Sequence, residues 1–124
     1  MYTSTPFKVY AMIEMTMQVP DKLAMRIQPF GPWLPTVLEL SLVGFKTRAA
    51  ATATEVISFL ETNPTPTAFL DLHVSGQNQT RLRRLLALNE AGMLSEEEQL
   101  EMNELEQIEH IIVMLKAKVA GQIQ

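Results

Sequence analysis

The chain of 124 residues contains no cysteine, few aromatic residues and only five glycines. The absence of cysteine excludes disulfide bonds, thiolate zinc sites and a cysteine nucleophile. No apolar run approaches the roughly 20 residues that a membrane-spanning helix needs, and residues 1–20 lack the basic flank and continuous apolar stretch of a secretion signal. We therefore expect a cytoplasmic protein with one folded unit and at most a helical extension.

Sequence motifs for catalysis are also missing. No Gly-rich phosphate-binding motif and no nucleophile elbow occurs, and the two histidines, His73 and His110, are not spaced as metal ligands. The glutamates between 96 and 109 fall on a predicted exposed helix, where solvation keeps carboxylates ordinary. The sequence predicts a protein that is not an enzyme and that has no cofactor and no metal site.

Apolar and charged residues have the proportions of a folded protein. The apolar fraction is 47% and the charged fraction 19%, which excludes a disordered chain. Eight methionines against 6% aromatic residues suit packing between helices better than a β-sandwich or barrel. The predicted fold class is therefore mainly α.

The net charge of −4 is unevenly distributed. Residues 1–50 carry five basic and three acidic side chains, whereas residues 51–124 carry five basic and eleven acidic ones. This asymmetry suggests that the two parts meet different partners, although a solvated acidic face also explains the second part. The basic cluster Arg81, Arg83 and Arg84 is predicted to pair with the acidic helix that follows it.

Residues 12–19 alternate strictly between apolar and polar side chains, which predicts a short, half-buried strand. Its apolar face comprises Ile13, Met15, Met17 and Val19. Pro20 ends the strand, and Asp21 is the expected N-cap of a short helix over 21–30. A second helix is predicted over 34–46, with Pro35 in its first turn.

This second helix is apolar on nearly all sides, so it needs cover from several directions. Its apolar residues are Leu34, Val37, Leu38, Leu40, Leu42, Val43 and Phe45. One short strand and two short helices cannot bury such a surface. A second protomer, the rest of the chain, or both must supply the cover.

The C-terminal part is predicted to end in a helical hairpin. Residues 47–53 resemble a helix end or a linker, 63–67 form a break with two prolines, and a helical pattern resumes at Gln79. Gly92 occupies the position of a left-handed C-terminal cap, and Ser95 with Glu98 forms a capping box. A last helix is expected over 96–120.

The last helix carries an apolar seam with spacing of three and four residues. Its members are Leu105, Ile108, Ile112, Leu115 and Val119. The preceding helix is too short to cover the seam, so the end of the last helix is expected to overhang and to dock on a second protomer, the N-terminal half of the chain or a toxin protein. The alternative is that residues 54–62 fold back and cover the seam within the same chain.

Residues 12–46 resemble the ribbon-helix-helix DNA-binding family in the order of their elements, MTMQVPDKLAMRI, QPFGPW and LPTVLELSLVGF. The resemblance implies that the strand pairs with the same strand of a second protomer and enters the DNA major groove. It assigns DNA binding to Glu14, Thr16, Gln18, Lys22 and Arg26. The implied dimer interface comprises Ile13, Met15, Met17, Val37, Leu38 and Phe45.

The C-terminal part resembles small bacterial antitoxin-like proteins, which have a similar sequence of spaced leucine, asparagine, glycine, serine and glutamate residues before a long helix. The likeness rests on Leu86, Asn89, Gly92, Leu94, Ser95, Glu97, Glu98, Glu101, Leu105 and Glu106. Such proteins are often encoded beside ribonuclease toxins of the PIN type. The resemblance therefore implies a toxin–antitoxin system, with a toxin partner bound through the seam and operator DNA bound by the ribbon.

Two functional hypotheses follow. The first is a dimeric, antitoxin-like DNA-binding autorepressor in transcription regulation, with a ribbon-helix-helix module at 1–50 and a partner-binding region at 51–124. The second is a non-enzymatic α-helical adaptor that self-associates without binding DNA. Neither hypothesis involves a membrane, and the two differ only in nucleic-acid binding.

Overall fold

The computed structural model describes residues 12–73 and 76–123, and this part of the chain is mainly helical. The mainly α prediction is confirmed. Within these two ranges, six α-helices and one 3-10 segment follow each other: α1 Asp21–Ile27, the 3-10 segment Gln28–Trp33, α2 Leu34–Ser41, α3 Ala50–Glu61, α4 Pro66–Leu70, α5 Gly76–Glu90 and α6 Glu96–Ile123.

One hydrophobic core holds these helices together. Helix α6 supplies Ile108, Ile111 and Val119, and segments from both sides of residue 50 pack on it. The other buried members are Phe30, Trp33, Val37, Leu40, Ala53, Val56, Leu60 and Phe69. Since a buried aliphatic or aromatic side chain contributes roughly 1.5–3 kcal/mol, this shared core dominates the stability of the fold.

The 3-10 segment turns the chain from α1 into α2. Gly31 has φ 55° and ψ −131°, a conformation open only to glycine, and a Cβ there would lie 3.2 Å from the amide oxygen of Asn63. Trp33 fixes this corner because its Nε1 donates to the Pro64 carbonyl at 3.0 Å. Its ring also packs 4.8 Å from that of Phe69. The corner therefore joins the N-terminal helices to α4.

Several predicted element bounds are wrong. Asp21 is the first residue of α1 rather than its cap, since Pro20 holds the N-cap position and makes no side-chain cap. Helix α2 begins at Leu34 as predicted but ends at Ser41 rather than at 46. Residues 50–53 are not a linker, because they form the first turn of α3.

A carboxylate of α6 binds the loop that leads from α2 into α3, and Gly44, with φ 70°, lies in the same loop just after the end of α2. Glu104 accepts hydrogen bonds from the backbone N–H of Lys46 at 2.9 Å, from that of Thr47 at 3.2 Å, and from the Thr47 hydroxyl. The Thr47 hydroxyl also accepts from the Ala49 N–H at 3.1 Å. A carboxylate 57 residues away in sequence thus stabilises the chain entering α3.

The helical hairpin of α5 and α6 is confirmed. Gly92 has φ 69°, and the Met93 N–H closes the end of α5 by donating to the Leu88 carbonyl at 2.9 Å. The Ser95 N–H donates to Glu98 Oε1 at 3.0 Å, and the Glu98 N–H donates to Ser95 Oγ at 3.1 Å. These reciprocal bonds are the predicted capping box.

The seam of α6 has cover within its own chain, so the expected uncovered overhang is wrong. Ile108 and Val119 are buried, and Leu105, Ile112 and Leu115 pack against the same core. Helices α4 and α2 make the main contacts with α6, and Val56 and Leu60 of α3 belong to the same core, so the N-terminal half of the chain and residues 54–62 both contribute to the cover. Pro64 and Pro66 line a cleft with Leu115 and Val119 near the end of α6.

Candidate self-association and nucleic-acid interface

Residues 12–19, the N-terminal segment, expose a run of large apolar side chains. Met12, Ile13, Met15 and Met17 have exposed fractions of 62–84%, and only Val19 is half-buried. Single exposed apolar residues are common on protein surfaces, but a contiguous set usually marks a contact site. The apolar side chains expected on one face of the strand are therefore accessible, as are the polar side chains between them.

The N-terminal segment lies along the surface without forming a strand. No residue in the two described ranges is in a β-strand, so the predicted strand has no pairing partner there. At one end Lys118 Nζ lies 3.7 Å from the Met12 sulfur, and at the other Pro20 leads into α1. A ribbon formed by two protomers needs a second chain, and this strand stays a prediction.

The five residues predicted to bind DNA are all exposed: Glu14, Thr16, Gln18, Lys22 and Arg26. Helix α1, which carries Lys22 and Arg26, has no buried residue at all. These two cations are four residues apart, so they share one side of the helix. The structure thus leaves this whole set accessible to a large ligand.

The predicted dimer residues divide into two groups. Ile13, Met15, Met17 and Leu38 are exposed and available to a second chain. Val37 is instead buried in the core of its own chain, and Phe45 packs against that core, because α6 covers α2. In this arrangement a second protomer has access to the first group and not to Val37.

The predicted partner-binding residues also divide by exposure. Ile108 and Val119 are core residues, whereas Leu105, Ile112 and Leu115 are half-buried. Ile112 lines an apolar cleft of about 290 Å³ between α3, α5 and α6. The large apolar side chains that α6 exposes lie off the seam, at Leu100, Val113 and Met114. Sequence reasoning missed them because they do not follow the seam spacing.

Two buried glutamates of α6 have structural partners. Arg81 binds Glu101 through two bonds, from Nε at 2.8 Å and from a terminal nitrogen at 2.7 Å, and this pairing raises the pKa of the Arg81 guanidinium. Burial raises the pKa of Glu104, but the hydrogen bonds from Thr47 and Lys46 outweigh it and lower the pKa. The predicted pairing of the arginine cluster with the acidic helix is confirmed for Arg81, whereas Arg83 and Arg84 are exposed.

No family model, curated protein or solved structure matches this chain. Its function must therefore be argued from its own residues. Within the described ranges, no helix is long and apolar enough to cross a membrane. Among the same residues, no group of three or more His, Asp or Glu side chains is arranged to hold a metal ion.

A second exposed feature, the α2–α6 groove, lies between the end of α2 and the middle of α6. It is an open trough of about 630 Å³, lined chiefly by Glu39, Leu42, Val43, Glu106, His110 and Ile111. Sequence reasoning missed this groove because it assigned Leu42 to a buried helix and Glu106 to a solvated face. Only the ending of α2 at Ser41 places Leu42 beside α6.

Proposed function

We propose that this chain is a homodimer formed through its N-terminal segment, and that the paired segments bind DNA as a ribbon. The observation that carries the proposal is the exposure of Ile13, Met15 and Met17 in an extended segment directly before α1. Fully burying one such side chain contributes roughly 1.5–3 kcal/mol, so pairing two segments offers a substantial gain. The alternation of the segment puts these residues on one face of a strand.

The opposite face of the paired segments would carry Glu14, Thr16 and Gln18. Glutamine can bond adenine with two hydrogen bonds, and threonine can contact the thymine methyl group. Glu14 can accept a hydrogen bond from cytosine but repels phosphate. Lys22 and Arg26, exposed on α1, are the cations that we expect to contact the DNA backbone. With so few cations, binding by one dimer is expected to be weak and steeply salt-dependent.

The biological role that we propose is that of an antitoxin-like autorepressor. It rests on the resemblance of residues 12–46 to the ribbon-helix-helix family and of residues 86–106 to antitoxin-like proteins. In this role the N-terminal part binds operator DNA, and the C-terminal part binds a toxin protein. Ribonucleases of the PIN type are the partners that this resemblance suggests.

The second candidate is an adaptor that dimerises but binds no DNA. The specific observation in its favour is Glu14, an exposed carboxylate in the middle of the proposed DNA-binding face. Each ribbon would bring two such carboxylates, one from each protomer, to the DNA, and the N-terminal segment itself has no cation to offset them. The two candidates make the same prediction for self-association and opposite ones for DNA.

Met15→Lys tests self-association. Because Met15 is 83% exposed, a lysine there leaves the helical fold of one chain intact. In a paired ribbon the same lysine enters an apolar interface without a counter-charge, which is unfavourable. We expect sedimentation velocity to change from dimer to monomer, with unchanged far-ultraviolet circular dichroism. Thr16→Lys, one residue on and on the opposite face, is the matched control and keeps the dimer.

A folded wild-type monomer at micromolar concentration would refute the proposed dimer. DNA binding is measured separately, by the mobility shift of the protein's own promoter DNA at low salt. Lys22→Ala should weaken all sequences alike and reduce the salt slope by about 0.9 for each phosphate that the variant no longer neutralises, whereas Gln18→Ala should relax sequence preference. If the wild type dimerises but shifts no DNA, the adaptor replaces the repressor.

A further inference from the structure

We infer that the α2–α6 groove is the docking site for a basic amphipathic helix of a partner protein. This inference rests on the part of the proposed function that gives the chain a protein partner, and it places that contact at the groove instead of the seam of α6. It depends neither on the dimer nor on DNA binding. Three properties of the groove support it: an apolar floor, charged walls and an elongated shape.

The groove contains apolar side chains that the rest of the chain leaves exposed to solvent. Leu42 is 86% exposed, although it directly follows a helix whose Val37 and Leu40 are buried. Beside it lie the half-buried Val43 and the buried Ile111 of α6. A partner side chain resting on Leu42 and Val43 would remove apolar surface from water on both molecules, which is the main driving force for association.

The walls of the groove are acidic. Glu39 of α2 and Glu106 of α6 both line the groove and are exposed, and no lysine or arginine is among the lining residues. Complementary charge selects the partner: cations that flank its apolar side chains would meet these two carboxylates. The same walls repel DNA phosphates and anionic lipid headgroups, so the groove is a poor surface for either.

The shape of the groove favours a helix as the occupant. The α6 residues that line it lie on one side of the helix over about two turns, from Asn103 to Ile111. An amphipathic helix docks in such a trough with apolar residues spaced by three or four positions, and cations on either side of them. A basic helix is also a common feature of proteins that act on nucleic acid, because they must contact phosphate. A ribonuclease partner would fit this chemistry.

The probe for the test is a synthetic helical peptide with leucines on one face and lysines and arginines on both flanks. Binding to the full chain is measured by fluorescence anisotropy at two salt concentrations. We expect Leu42→Ser to weaken binding by about tenfold, as for a central contact residue. Glu106→Gln should weaken binding by a few-fold and reduce its salt dependence.

Matched controls lie outside the groove. Leu86→Ser removes a leucine of α5 that is 45% exposed, and Glu96→Gln removes an exposed carboxylate of α6. Both should bind the peptide like the wild type. The same peptide with glutamate in place of every lysine and arginine should not bind. Methyl NMR should show shifts at Val43 and Ile111 that depend on the peptide.

Three results would overturn the inference. Equal weakening by Leu42→Ser and Leu86→Ser would mean that the peptide binds the acidic surface without using the groove. Unchanged binding by Leu42→Ser would exclude the groove directly. Loss of self-association by Leu42→Ser, without any peptide, would make a second copy the occupant. Failure here leaves the Met15→Lys and DNA experiments unaffected, so the two proposals fail separately.

Discussion

At the scale of single residues, Glu104 shows how one buried carboxylate determines local structure. It is 4% exposed and accepts three hydrogen bonds from Lys46 and Thr47. Burying a carboxylate is costly unless it is well hydrogen-bonded, and these donors provide the compensation. Through them α6 holds the loop between α2 and α3, and it thereby sets the position of Leu42 at the groove.

Glu104→Gln should destabilise the protein by about 2 kcal/mol, since hydrogen bonds to a charged acceptor are stronger than those to an amide. The variant keeps the size of the side chain but replaces one of the two accepting oxygens by an amide nitrogen, so the loss combines the charge with a hydrogen bond. Urea unfolding followed by circular dichroism provides the comparison. Glu106→Gln, two residues further along α6 and exposed, is the control and should change stability by less than about 0.5 kcal/mol.

The same carboxylate gives an expected pH dependence. Hydrogen bonds to Glu104 hold its pKa below the ordinary value of 4.5, so its ionised form stabilises the fold above that pH. The contribution is lost as the pH falls through the folded-state pKa, because the Glu104 carboxyl is then protonated in both the folded and the unfolded state. The stability difference between wild type and Glu104→Gln should shrink below pH 4.5. A difference that stays constant well below that pH would contradict this account.

At the scale of elements, the sequence correctly predicts where a helix begins or ends when the residues that stabilise that end are its neighbours in sequence. The hairpin of α5 and α6 is of this kind: Gly92 supplies the left-handed turn, and Ser95 and Glu98 cap each other. The start of α3 is not, because its stabilising carboxylate, Glu104, comes from α6. Local patterns cannot reveal such a partner, and the sequence alone therefore predicts a linker where the helix begins.

The candidate sites show the same limit. The exposed apolar face of the N-terminal segment follows from its alternation, so sequence alone identifies Ile13, Met15 and Met17. Val37 is equally apolar, but only the packing of α6 on α2 reveals that its own chain buries it. The α2–α6 groove depends on where α2 ends, and Gly44, with φ 70°, lies just beyond that end. No periodicity in the sequence could have located it.

The two helices of the hairpin are joined by the ion pair of Arg81 and Glu101. Arg81→Ala should destabilise the protein by about 3 kcal/mol, because it leaves the buried Glu101 carboxylate without its partner. Thermal unfolding measures the loss. Arg84→Ala removes an exposed arginine of the same helix and is the control. If both variants unfold at the same temperature, the pair does not hold the hairpin together.

At the scale of the whole molecule, residues on both sides of position 50 share one core. Phe30, Trp33 and Leu40 belong to the same buried cluster as Ile108 and Val119. The proposed division at residue 50 therefore separates two partner-binding regions. It does not separate two folding units, because the described helices on both sides contribute to one core. Both proposed contact surfaces, the N-terminal segment and the α2–α6 groove, lie on the outside of this common core.

Ile108→Ala tests whether the helices unfold together. Deleting this much of a buried side chain costs about 3 kcal/mol, part of it from the cavity left behind. The single tryptophan, Trp33, lies before residue 50 and reports on that part of the core by fluorescence, while circular dichroism reports mainly on the long C-terminal helices. We expect the two transitions to coincide in urea and to move together to lower concentrations.

Val113→Ala, on the exposed side of α6, is the control and should move neither transition. If Ile108→Ala shifts the circular dichroism transition and leaves that of Trp33 in place, residues 1–50 and 51–124 unfold as separate units. Coincident shifts mean instead that a partner bound at the α2–α6 groove also stabilises the part of the core that contains Trp33. Binding to the native state alone raises the stability of every residue that unfolds with it.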